Sequence, residues 1–130
     1  MRDLLPGIQG KRVLLKPNMV EFERDTAINT NALVVAAAAD AALRLGAAEV
    51  MVAEGPGHRR DVEYLLGVTG LFEHLQDRRL TFVDLNHDDV VWTPLKSHFT
   101  GFTELALPAA LVAADLVIST KYAWSFASCV

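Results

Sequence analysis

The chain carries a single cysteine, Cys129, among its 130 residues. One thiol cannot close an intrachain disulfide, and one thiolate cannot hold an iron–sulfur cluster. No cluster is therefore expected on this chain alone, and composition names no other cofactor. Cys129 also has no base near it in sequence, which argues against a catalytic thiol. Cysteine usage of this kind fits a reducing cytoplasm.

Positive charge is scarce too. Twelve Lys and Arg stand against sixteen Asp and Glu, for a net charge of −4. The two signs are interspersed and no basic stripe exists, so a nucleic-acid partner is not expected. Long apolar runs are missing. The longest, Ala32–Ala39, meets Asp40 and then Arg44 and is too short to span a bilayer, so no membrane role is expected. The opening residues Met1–Gly7 lack the apolar core of a secretory signal. There is no Gly-x-Ser-x-Gly elbow, dinucleotide Gly-x-Gly-x-x-Gly, Walker loop or paired-histidine metal signature. No metal site is expected. Internal repeats, low-complexity tracts and long linkers are absent as well.

What remains is a chain that is 52% apolar and dominated by Ala, Val and Leu. At this length it is one domain, able to bury roughly two-thirds of its unfolded surface. Two stretches carry most of the information. Val13-Leu14-Leu15-Lys16-Pro17-Asn18 and Val50-Met51-Val52-Ala53-Glu54-Gly55-Pro56-Gly57 are apolar runs that end abruptly in polar, Pro and Gly residues. Buried parallel strands look like this where their carboxyl ends open into loops.

The remaining elements follow from pattern. Arg12–Lys16 is the first strand, ended by Pro17. Asn29, Thr30 and Asn31 are alternative N-caps for a helix that runs to Leu45 and stops at Gly46. That helix is apolar nearly all round apart from Asp40 and Arg44, an i, i+4 pair, so covering on more than one side is expected. Glu49–Ala53 is the second strand. Asp61 caps a short helix through Leu66, and Leu71–Arg78 is another. Leu80–Leu85 is the third strand. Val90–Leu95 and Phe102–Leu107 read as an antiparallel hairpin. Pro108–Ala114 is a small helix and Asp115–Thr120 the last strand, with an irregular tail over 120–130. The expected fold is a three-layer α/β domain with a mainly parallel, Rossmann-like sheet and an antiparallel hairpin insertion.

Each candidate site residue has a functional and a structural reading. Lys16, at a strand end, can neutralise a carboxylate or phosphate, or can lay its stem along the surface. Asn18 can contact ligand or bond its own loop. The Gly55-Pro56-Gly57 backbone can cradle an anion, although a tight turn uses the same residues and is the favoured reading. Glu54 can act as a base or metal ligand, or accept bonds from its own loop, which is slightly favoured. His58 can donate near neutrality, though a histidine flanked by arginines is more often solvated. Arg59 and Arg60 offer bidentate anion contacts, with one expected to face solvent. Asp25 and Thr26 lie in the first loop, within reach of the same edge. Asn86-His87-Asp88-Asp89 is a polar turn rather than a calcium loop. His74 and His98 receive no role. Trp92, Phe99 and Phe102 are expected to pack within the hairpin.

The order Leu15-Lys16-Pro17-Asn18, Ala32–Leu45, Gly46-Ala47, Ala53-Glu54-Gly55 and Ala114-Asp115-Leu116-Val117-Ile118 resembles the family called domain of unknown function 362, from about Lys11 to Ser119. The resemblance implies a Rossmann-like fold with no assigned general activity. Some members resemble carriers of a cysteine-rich ferredoxin module, which this chain lacks, so a redox role would need an iron–sulfur partner. The family pattern continues with a Pro-Lys-x-Lys-Thr-His type segment, of which only Lys121 is matched here. An incomplete family domain is therefore expected. The leading functional expectation is binding of, or catalysis on, a small anionic ligand at the carboxyl edge, through Lys16, Asn18, Glu54, Gly55, Gly57, His58 and Arg59. The alternative is a structural piece that forms a homo-oligomer or packs on a missing C-terminal half.

Overall fold

The computed structural model describes residues 7–21, 28–57 and 60–120. The expected tail over 121–130, with Lys121 and Cys129, lies outside these residues, as do Asp25, Thr26, His58 and Arg59.

Four parallel strands form the main sheet in the order β3-β2-β1-β6. They are β1 (Arg12–Lys16), β2 (Glu49–Glu54), β3 (Thr81–Asp84) and β6 (Leu116–Ser119). A separate antiparallel pair is made by β4 (Val90–Pro94) and β5 (Glu104–Pro108). The helices are α1 (Ala32–Arg44), α2 (Val62–Val68), α3 (Leu71–Asp77) and α4 (Ala109–Ala113). The expected α/β architecture is thus present, with the hairpin standing off the main sheet.

The core follows from strand alternation. Val13 and Leu15 of β1 and Val50 and Val52 of β2 join Val35, Ala39 and Ala42 of α1 and Leu71 and Leu75 of α3 in one buried cluster. Leu14, between Val13 and Leu15, points to the opposite face and is also fully buried. The units β1-α1-β2 and β2-α2-α3-β3 advance along the sheet in one direction. The return from β3 to β6 runs the other way, so the right-handed crossover rule puts α4 on the opposite face. α4 touches β1 and both hairpin strands.

Expectations for the hairpin are corrected, and α1 shows which of its faces this chain covers. The outer face of α1 is open: Leu33, Leu43 and Leu45 are 63%, 42% and 51% exposed, and only one stripe of the helix is covered. Asp40 finds its partner outside its own helix. Its carboxylate takes a bidentate contact from Arg78, at 2.9 and 3.0 Å, because Arg78 follows α3 and α3 packs on α1. Trp92, Phe99 and Phe102 do not pack within the hairpin; they are 67%, 98% and 70% exposed. A two-stranded ribbon that packs against the short α4 gives these rings little to pack against. The hairpin strand β5 also starts later than expected, because Phe102 N donates to Thr100 Oγ1 and holds a turn there.

A second bidentate clamp, between Arg12 and Asp115, fastens the start of β6 to the start of β1. The Arg12 backbone N donates to Oδ2 at 2.9 Å, and the guanidinium reaches both oxygens at 3.3 Å. Hydrogen bonds from Arg78 hold the Asp40 carboxyl below the usual carboxylate range, and those from Arg12 do the same to Asp115. A carboxyl with a lowered folded-state pKa adds stability above its unfolded value and gives it up as pH falls through the folded one. Stability should therefore decline from about pH 5 downward, past the unfolded value near 3.9. Urea midpoints measured from pH 7 to pH 3 should fall less steeply in Asp40→Asn than in the native chain; parallel slopes would remove the clamp from the account.

Candidate functional site

β1 and β2 are neighbours in register, with Leu15 opposite Val52, so their carboxyl ends open side by side. The Lys16 ammonium donates to Glu54 Oε1 at 2.9 Å. Glu54 is the more hidden partner: 7% of its side chain is exposed, against 41% for Lys16. The same carboxylate accepts from Gly55 N at 2.9 Å and, through Oε2, from Met19 N at 3.4 Å. Three donors from the strand end and from both loops thus converge on one buried anion. The two polypeptide corners singled out in the sequence meet at this point.

The loop after β1 is zipped at its base by three consecutive polar residues, each with its own task. Asn29 Oδ1 accepts from Val20 N, and Asn29 Nδ2 donates to the Glu21 carbonyl, both at 2.8 Å. Thr30 N donates to the Asn18 carbonyl at 2.8 Å, and Thr30 Oγ1 accepts from Asn18 N at 2.9 Å. Asn31 is the true N-cap of α1, accepting from Leu33 N at 2.9 Å. A cap of this type contributes about 1 kcal/mol. The Asn18 side chain donates to the Ile28 carbonyl at 3.0 Å, so its amide serves the loop.

Gly55 has a packing reason. A Cβ there would lie 2.7 Å from Asn86 Oδ1, and Asn86 Nδ2 donates to the Pro56 carbonyl at 2.7 Å. Gly57 has none, since a Cβ built on it meets nothing within 4 Å. Arg60 forms an ion pair with Glu21, linking the loops after β1 and β2. The segment after β3 is the polar turn that was expected: Asp84 accepts from Asn86 N at 2.9 Å and from His87 Nδ1 at 2.7 Å.

The strand order adds a feature that the sequence did not supply. In an open parallel sheet, ligands favour the crevice outside the carboxyl ends where chain direction along the sheet reverses. Here that point lies between β1 and β6. Thr30 Oγ1 reaches the Thr120 carbonyl across it at 3.3 Å, and Thr120 N donates to the Lys16 carbonyl at 3.1 Å. Thr120 Oγ1 is buried with no hydrogen-bond partner among the described residues. Sequence reasoning missed Thr30 and Thr120 as edge residues; only knowledge that β6 lies beside β1 would have found them. Among the described residues, no group of three or more His, Cys, Asp or Glu side chains is arranged to hold a metal. No helix among them is long and apolar enough to cross a membrane.

A family model described as a domain of unknown function (DUF362) matches residues 13–122. No curated protein and no solved structure matches the chain.

Proposed function

The chain belongs to the DUF362 family, and on that footing we propose that it binds a small anionic ligand, a phosphate or carboxylate compound, at the carboxyl edge of the parallel sheet. The observation that carries this reading is the state of Lys16. Its ammonium has three donors and gives one to Glu54, so two remain for a ligand. Its side chain is 41% exposed, beside the crevice where the sheet reverses direction. Glu54 fixes the position of the amine and does not itself contact the anion. The Thr120 hydroxyl and the backbone from Gly55 to Gly57 supply further donors in this reading. His58 and Arg59, next along the chain, are the additional cationic candidates.

Titration calorimetry with inorganic phosphate, pyrophosphate and malonate tests the assignment on the native protein and on Lys16→Met, which keeps the apolar stem. A saturable heat with at least one anion is expected, weakened about tenfold or more in the variant, the worth of one charge-assisted hydrogen bond. No binding by the native protein, or equal binding by both, would refute the proposal.

The hairpin supports a second reading, self-association. Val90 and Trp92 on one of its faces and Val91 and Leu105 on the other are all exposed, at 59%, 67%, 39% and 39%. Exposed apolar residues on both faces of a ribbon are the kind of surface that association covers. Light scattering across a hundredfold range of protein concentration should give a mass above 14.2 kDa, returning to the monomer value in Trp92→Ser. A native protein monomeric throughout that range would count against it.

A further inference from the structure

A groove of about 650 Å³ lies beside β3, the outer strand two places from β1, and is lined by that strand and helices α2 and α3. Its apolar wall is made by Val62, Leu66, Phe72 and Phe82, and its polar groups are the carboxylates of Glu63 and Asp84. Its size falls within the range of small-molecule sites. Among the described residues, no lysine or arginine lines it. Phe72, one of the lining residues, is 49% exposed.

We propose that this groove binds a small organic cation, a primary ammonium attached to an aromatic or branched aliphatic body. Charge complementarity selects the ligand. Both charged groups of the described lining are anionic, and Phe72 and Phe82 add two aromatic rings, whose faces attract cations. Asp84 is already oriented by Asn86 N and His87, one bond to each oxygen, which leaves lone pairs for an ammonium. Glu63 makes no ion pair with any described residue, and its charge is free to answer one. An anionic ligand would face two carboxylates with no lysine or arginine among the described lining residues, and a neutral one would leave the charges unused.

The floor of the groove provides a test that does not disturb the core. Gly67 lines it from α2, and a Cβ added there meets nothing within 4 Å. Gly67→Leu should therefore fold, with better helix propensity than the native residue, while filling the space. The experiment is calorimetric titration of the native protein with 2-phenylethylammonium, 3-phenylpropanol and 3-phenylpropionate. The ammonium should bind saturably, and the alcohol and the carboxylate should bind at least about tenfold more weakly, as expected for loss of a charge-assisted contact. Gly67→Leu should abolish binding, and Glu63→Gln should weaken it, while circular dichroism stays native. Equal binding of the three probes, no binding of the ammonium, or unchanged binding in Gly67→Leu would overturn the proposal. Binding of a lysine-bearing peptide with none of the free amine would overturn it too, by assigning the groove to a protein partner.

Discussion

Glu54 ends β2 with its carboxylate buried, and Lys16, Met19 and Gly55 all donate to it. A lone carboxylate in that position would be costly, because desolvation is repaid only when charge and hydrogen bonds are supplied together. Meeting that requirement shapes the edge. It draws the β1 loop back over the end of β2, fixes the Lys16 amine, and turns the chain at Gly55. The loop after β3 then closes over that turn through Asn86, whose approach to Gly55 leaves no room for a side chain.

The same arrangement links fold to function. A parallel sheet directs its strand ends to one side, and the order β3-β2-β1-β6 creates a reversal beside β1. Lys16 stands at that reversal because it is the last residue of β1. The half-exposed lysine is held on one side by a hidden carboxylate, which limits its rotamers and leaves its outer donors free. The edge is not uniformly positive. Glu54 is paired in register with Asp84, one strand further from Lys16. Along the edge the ammonium of Lys16 at β1 is followed by the carboxylates of Glu54 at β2 and Asp84 at β3. That order sets the proposed anion site apart from the groove beside β3.

Much of the main sheet was legible in the sequence because its signals are local. Pro17 ends a strand, Asp61 caps a helix, and Gly46, at φ +86°, stops α1 in the left-handed region that glycine favours. Tertiary choices were not legible. Asn29, Thr30 and Asn31 have similar capping propensities, and only their partners Val20, Asn18 and Leu33 separate their tasks. Asp40 had a sequence-local partner in Arg44, yet Arg78, 38 positions away, offers a bidentate fit. The hairpin aromatics satisfied the pattern of a strand while lacking a layer to pack against. In the site, the convergence of Lys16 with Glu54 was legible from strand endings. Thr30 and Thr120 were not, because their placement depends on which strand lies next to β1.

The most direct test of this account is a double-mutant cycle on the buried clasp, by urea unfolding of the native protein, Lys16→Met, Glu54→Gln and the double variant. A coupling energy of about 0.5–1.5 kcal/mol is predicted, below that of a fully desolvated pair because the Lys16 side chain is 41% exposed. Strictly additive effects, with no coupling between the two positions, would contradict it.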